Sequence, residues 1–110
     1  MAGFIYIQKG RGVSMGSSTF DLVVQHLRQN ATAADALLVQ KMLEPLEEGF
    51  NHIGLEALAT EEFFRAHELF CAAQIADLAV RSDSSRAAMQ AIWQEIIEKI
   101  ESDARFGSRR

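Results

Sequence analysis

Residues 61–80 constrain this chain most, because their pattern predicts a helix that is apolar on most sides. Thr60 and the pair Glu61-Glu62 give that helix a start, since carboxylates are favoured near a helix N-terminus. A helix of this kind normally lies at the centre of its domain. The large apolar side chains are Phe63, Phe64, Leu69, Phe70, Ile75, Leu78 and Val80. We therefore expect the other elements to pack around residues 61–80.

Three further segments show helical hydrophobic spacing. They predict helices over about 19–29, 33–44 and 84–103. The second should end or kink at Pro45, which removes a backbone donor, although a proline can equally open a new turn. The clearest inner stripe belongs to the last helix and consists of Met89, Ile92, Trp93, Ile96 and Ile100.

The N-terminal segment reads as a β-hairpin over about 4–15. Phe4–Ile7 is a short apolar, aromatic run, Lys9–Gly12 has turn chemistry, and Val13–Met15 can return as a second strand. Residues 49–54 read as a connection. Ser17 or Ser18 would cap the helix that follows the hairpin, with Asp21 in its first turn.

Gly10, Gly12 and Gly16 also permit a different interpretation. Together they form G-x-G-x-x-x-G between a strand and a helix, with Lys9 and Arg11 adding positive charge. A phosphate-binding loop has this placement, because glycines let the backbone approach a phosphate at a helix N-terminus. The spacing matches neither common nucleotide-binding fingerprint, so the hairpin is the favoured interpretation.

At 110 residues the chain is expected to be one domain, 1–110. The segments predict a mainly α fold: a helical bundle of four or five helices with a short N-terminal β-hairpin and a loose tail at 107–110. No signal peptide is recognisable at the N-terminus. Cys71 is the only cysteine, which fits a reducing cytoplasm, so a cytoplasmic location is expected.

The net charge of −4 hides an asymmetry between the ends and the body of the chain. Residues 1–11 and 105–110 carry five basic residues and no acids. Residues 12–104 hold all fifteen acids against six bases, a net charge of −9. Phosphate binding needs basic residues on one face, so nucleic acid is a poor direct partner. A basic protein is the natural partner for such a body.

No residue pattern predicts catalysis or a cofactor. His67 and Cys71 lie four positions apart on the central helix and could share a metal, but two ligands do not complete a site. His26 and His52 are far away in sequence. Ser14 stands in Gly12-Val13-Ser14-Met15-Gly16, which has the spacing G-x-S-x-G, but this serine falls in the returning strand of the predicted hairpin and not at the strand-to-helix turn that a nucleophile of this motif needs. We therefore expect a protein that is not an enzyme and has no metal or cofactor.

The chain's middle third carries a concentrated acidic run, which is the candidate binding surface. It lies around the proline break and the start of the central helix, so its members could gather on one rim of the bundle. Capping and solubility would explain the same residues, whereas clustering would steer a cationic partner. The run consists of Glu44, Glu47, Glu48, Glu56, Glu61, Glu62 and Glu68.

Four stretches, 12–21, 58–64, 93–97 and 103–106, resemble small bacterial immunity proteins of contact-dependent growth-inhibition and related polymorphic toxin systems. They read GVSMGSSTFD, LATEEFF, WQEII and DARF. The resemblance implies a cytosolic protein that binds and blocks one cognate toxin domain, often a nuclease. These proteins share no binding motif, so the resemblance assigns no site residue by position.

The leading hypothesis is therefore an immunity protein that neutralises a basic toxin domain through its acidic surface, and we expect that domain to be a nuclease. Nuclease clefts must be cationic to hold phosphate. The alternative is a homodimeric structural or regulatory module that uses exposed apolar surface on its helices. A small nucleotide-binding protein that uses the loop from Gly10 to Gly16 is the third possibility.

Overall fold

A computed structural model describes residues 2–8 and 10–107. Within these residues the fold is mainly α with a small N-terminal sheet, which confirms the predicted fold class. The elements in chain order are β1 (Gly3–Gln8), β2 (Arg11–Met15), α1 (Ser17–Asn30), a 3₁₀ turn (Ala33–Asp35), α2 (Ala36–Glu47), β3 (His52–Gly54), α3 (Thr60–Ala79), α4 (Asp83–Glu101) and α5 (Ala104–Gly107). None of the described helices is long and apolar enough to cross a lipid bilayer. Ser108–Arg110, most of the predicted loose tail, lie outside the described residues.

The sheet has the strand order β2-β1-β3. β1 and β2 form the predicted antiparallel hairpin, and Gly10 turns the chain at φ +78°. β3 lies parallel to β1 on its other side, with Ile53 opposite Ile5. The expectation of a connection over 49–54 was wrong. Three residues are too few for a period-two pattern to show, and their partner strand lies across α1 and α2.

α3 is the central helix, in contact with α1, α4 and α5. Phe63 and Phe70 are fully buried on it. The expectation that the other elements pack around residues 61–80 was wrong at the C-terminal end of this range, where Ile75 and the following Val80 are 72% and 80% exposed. The neighbouring helices cover the face that carries the phenylalanines, whereas the face that carries Ile75 is exposed.

α2 continues through Pro45 to Glu47, so the expected end at residue 44 was wrong. Pro45 stands in the last turn, where the missing N–H removes only one helical hydrogen bond. The backbone beyond it stays bonded, because Glu48 N donates to Glu44 O at 3.2 Å and Phe50 N donates to Pro45 O at 2.9 Å. The acidic residues on either side of the proline therefore belong to one rigid helical end.

The starts of the helices differ from the predicted caps in one place. α1 begins at Ser17 with Gly16 as its N-cap, so neither serine caps it and Asp21 lies beyond the first turn. α4 begins after Ser82, which is its N-cap. Its inner stripe is buried as expected apart from Ile92, which is half-buried.

A buried carboxylate joins three helices. Asp77 on α3 is 2% exposed and accepts hydrogen bonds from Trp93 Nε1 at 2.8 Å and from Arg81 Nε at 2.8 Å. His26 Nε2 on α1 lies 3.1 Å from its other oxygen. Burial would raise the pKa of Asp77, but the two hydrogen bonds and the charge of Arg81 lower it below the usual value.

Arg105 on α5 makes hydrogen bonds to residues from distant parts of the chain. Its guanidinium donates to the carbonyl oxygens of Leu55, Leu58 and Ile7 at 2.8, 2.9 and 2.8 Å. It also donates to the buried Asp103. This one side chain ties β1 and the loop after β3 to the last helix.

Candidate functional site

An open groove of about 310 Å³ lies between the end of α2 and β3. The last turn of α2 and the residue after it place Glu44 and Glu48 on its wall, since positions four apart on a helix share one face. The backbone after α2 then presents Phe50, β3 presents His52, and the loop after β3 adds Glu56. The groove therefore combines three carboxylates with two aromatic rings.

The rings of Phe50 and His52 continue a row of aromatic side chains along the outer face of the sheet. Alternation along β1 buries Ile5 and leaves Phe4 and Tyr6 half-buried on the opposite face. The ring centroids lie 4.4 Å apart for Phe4–Tyr6, 5.0 Å for Tyr6–His52 and 5.8 Å for His52–Phe50. Phe50 ends the row at the groove and is 57% exposed.

The three groove carboxylates have no charged partner among residues 2–8 and 10–107. Within the described part of the chain, the side chains of Glu44, Glu48 and Glu56 make no salt bridge, and all three residues are exposed. Lys41 lies beside them, but its Nζ is 2.6 Å from Glu62 Oε2, so its charge is compensated. The groove therefore presents uncompensated negative charge next to an apolar ring.

The seven predicted acidic residues do not all meet in this groove. Glu62 lies at its edge through Lys41, and hydrogen bonds from Lys41 and the backbone of Ala59 lower its pKa. Glu47 lines a separate hollow, and Glu68 is 3.8 Å from Arg65. The remaining member of the set, at position 61, is exposed in the first turn of α3.

The three loop glycines are spread along the hairpin and do not form one cradle. Gly10 is in the turn, Gly12 lies within β2, and Gly16 precedes α1. Five residues of nearly extended chain lie between Gly10 and Gly16, so the two glycines are about 20 Å apart. That spacing confirms the hairpin interpretation of these residues. Of the two basic residues of the alternative, Arg11 begins β2 and Lys9 lies outside the described residues.

His67 and Cys71 do approach each other on α3. Cys71 Sγ lies 3.7 Å from His67 Nε2, and the same nitrogen is 2.9 Å from Glu101 Oε2. Burial, followed by the charges of Glu101 and Glu68, raises the pKa of the Cys71 thiol, which disfavours a thiolate. Among the described residues no group of three or more possible ligands could hold a metal ion.

The sequence interpretation missed Phe50, His52 and Lys41 as members of the site. Phe50 and His52 are two positions apart and line the groove, whereas Ile53 is fully buried in the core. This is the alternation of a strand, but the run is too short to be recognised from the sequence. Reading residues 50–54 as a strand would have placed both rings on one face. Lys41 has no signal of its own, since its role follows from the distant Glu62.

This fold and groove define a small, mainly α protein with a three-stranded sheet and an open acidic, aromatic surface. No family model matches the chain. It is 28% identical over 109 residues to the immunity protein CdiI of Burkholderia pseudomallei, covering 97% of this chain and 96% of that protein. Its fold matches a chain in the solved complex of the CdiA-CT toxin from Burkholderia pseudomallei E479 with its cognate CdiI immunity protein. That match has a TM-score of 0.87 at 25% identity and covers 96% of this chain and 99% of the other. Both comparisons confirm the resemblance to immunity proteins of contact-dependent growth inhibition.

Proposed function

We propose that this protein is an immunity protein that binds and neutralises a cognate bacterial toxin domain in the cytoplasm. The similarity to CdiI over nearly the whole of both chains carries the proposal. The shared fold with a chain of a toxin–immunity complex supports it independently, because the match again covers almost the whole length. The protein would act by occupying the toxin and not by catalysis.

The charge of the body favours a basic toxin domain, most plausibly a nuclease. Residues 12–104 carry a net charge of −9. A nuclease must hold phosphate with lysine and arginine, so its cleft is complementary to an acidic surface. The proposed binding surface is the acidic set defined above, from Glu44 to Glu68.

Capture followed by neutralisation tests the function. Tagged protein is exposed to lysate of the source cell at low salt, eluted with a salt step, and the captured protein is identified by mass spectrometry. The captured domain is then expressed in a bacterial host with and without this protein. We expect it to stop growth alone and to be harmless when co-expressed. A captured domain that is harmless by itself, or one that stays toxic in the presence of this protein, contradicts the proposal.

Charge reversal tests the acidic surface. A variant with Glu47, Glu48, Glu61 and Glu62 changed to lysine should lose binding, and wild-type affinity should fall as salt rises. Glu98→Lys on α4 is the control, because it reverses one exposed charge that lies outside the acidic set. Unchanged affinity in the fourfold variant would remove the acidic surface from the proposal and leave neutralisation standing.

A homodimeric module remains the second candidate, favoured by the exposed apolar side chains Leu37, Ile75 and Val80 on or beside the helices. Sedimentation at several protein concentrations distinguishes the homodimeric module from a monomeric immunity protein. A mass that rises to twice the monomer value and falls when Ile75 is changed to serine would favour the module. A constant monomer mass removes it.

A further inference from the structure

The outer face of the sheet and the groove form one continuous surface. The row from Phe4 through Tyr6 and His52 leads directly to Phe50, which stands at the groove and also lines a second hollow on its other side. An aromatic side chain that is more than half exposed, in line with other rings, is available as an anchor for a partner. Aromatic residues are enriched among those that dominate binding energies at protein interfaces.

The charges at the anchor select the partner's chemistry. Glu44, Glu48 and Glu56 are exposed and unpaired within the described residues, whereas the one groove cation, Lys41, is held by Glu62. A partner side chain that enters must therefore be cationic. Arginine fits this combination better than lysine, because its planar guanidinium can bond carboxylates with two donors and stack on an aromatic ring at the same time.

We infer that the aromatic row and the groove are the docking surface for the toxin, and that the groove receives an arginine side chain of that toxin between the ring of Phe50 and the carboxylates of Glu44, Glu48 and Glu56. This inference rests on the proposed function and deepens it by naming the contact. The remaining acidic residues then act at longer range, by steering the partner toward the surface.

A peptide titration tests the arginine contact without the toxin. Protein labelled with ¹⁵N is titrated with hexa-arginine, hexa-lysine and hexa-glutamate while amide shifts are recorded. We expect the largest shifts at residues 44–56, a stronger response to arginine than to lysine, and none to glutamate. Equal responses to arginine and lysine, or shifts centred on the exposed acids Glu95 and Glu98 of α4, would overturn the assignment.

The captured toxin domain tests the docking surface. Phe50→Ala should weaken its affinity by about 10- to 100-fold, and Glu48→Gln by about 10-fold. Ile75→Ala and Glu98→Gln are matched controls, since each changes an exposed residue of the same kind away from β3. Thermal unfolding of each variant checks that the fold is kept.

The outcomes separate this inference from the proposed function. Wild-type protein that fails to bind or neutralise the domain refutes the function. Wild-type binding with Phe50→Ala and Glu48→Gln within twofold of it refutes the docking surface and leaves the function intact. A monomer–dimer equilibrium abolished by Phe50→Ala would show that a second copy of this chain covers the surface, which also overturns the inference.

Discussion

Arg105 Nη2 donates a 2.8 Å hydrogen bond to the carbonyl oxygen of Ile7, a residue 98 positions earlier in the chain. The guanidinium carbon also lies 3.9 Å from the ring centre of Phe63 on the central helix. A planar group with five donors suits such a position, because it can donate to several carbonyls of the strand and the loop at the same time. Arg105 therefore connects the sheet, the central helix and the C-terminal helix.

Arg105→Ala should lower the free energy of unfolding by about 2–4 kcal/mol, because it removes the guanidinium donors from three carbonyls and from the buried Asp103, whose carboxylate keeps the backbone N–H of residue 105. Urea unfolding followed by circular dichroism measures the change. Arg105→Lys is the matched variant, which keeps the charge but loses the fork, and should recover only part of the loss. A loss under about 0.5 kcal/mol, as for an ordinary surface substitution, would contradict the connecting role.

Acid should destabilise the fold below about pH 5. Asp35 accepts hydrogen bonds from Arg65 at 2.8 and 2.7 Å and from Thr32 N, and these lower its pKa well below the usual value. An unfolded aspartate has a pKa of about 3.9, so the unfolded chain binds more protons as pH falls. The stabilisation is complete above that value and is lost toward the lower, folded pKa.

Asp35→Asn tests this linkage. The variant should cost about 1–3 kcal/mol at pH 7 and progressively less at pH 4 and 3, where the wild-type carboxylate is itself being protonated. Urea midpoints across pH 3–7 provide the comparison. Glu98→Gln, on the exposed face of α4, should run parallel to wild type. A cost for Asp35→Asn that is constant with pH would show that the carboxylate's charge is not the cause.

Trp93→Phe should reduce the free energy of unfolding by about 1–3 kcal/mol, because it removes an indole donor from the buried Asp77. A double-mutant cycle with Asp77→Ala isolates the pair. The coupling should lie at about 0.5–3 kcal/mol, as for residues that share a hydrogen bond. Strictly additive effects would mean that the indole contributes by packing alone.

Gly3→Ala should cost about 1–3 kcal/mol, because a Cβ at this position would overlap the ring of Phe20, which is fully buried. Thermal or urea unfolding measures the loss. Gly107→Ala is the control, since a Cβ there meets no atom within 4 Å. Equal stabilities of the two variants would show that Phe20 can move aside without cost.

The sequence predicted those parts of the fold that depend on local periodicity. The stripes of α1 and α4 and the hairpin repeat their apolar residues at regular spacing, so they could be placed before the structure was known. β3 was not predicted, because a three-residue strand has almost no hydrophobic pattern and is defined by its pairing with β1. The continuation of α2 past Pro45 was not predicted, because it depends on hydrogen bonds made by the backbone after the proline.

The candidate site could be predicted only in part for the same reason. Charge density located Glu44, Glu48 and Glu56, which the fold brings to one groove. Charge density did not show that Glu62 forms an ion pair with Lys41, since those residues are 21 positions apart. Phe50 was missed because a single aromatic residue after a helix carries no periodic signal.

The parallel pairing of β1 with β3 also affects the order in which the parts of the protein fold. The two strands can meet only after the chain between them has closed a long loop, and contacts of high sequence separation slow folding. The aromatic row, which joins Tyr6 on β1 to His52 on β3, is therefore expected to be completed late, after the helices and the hairpin have formed locally. Substitutions that impede this strand addition would leave a molecule with nearly normal helical content whose partner surface is unfinished.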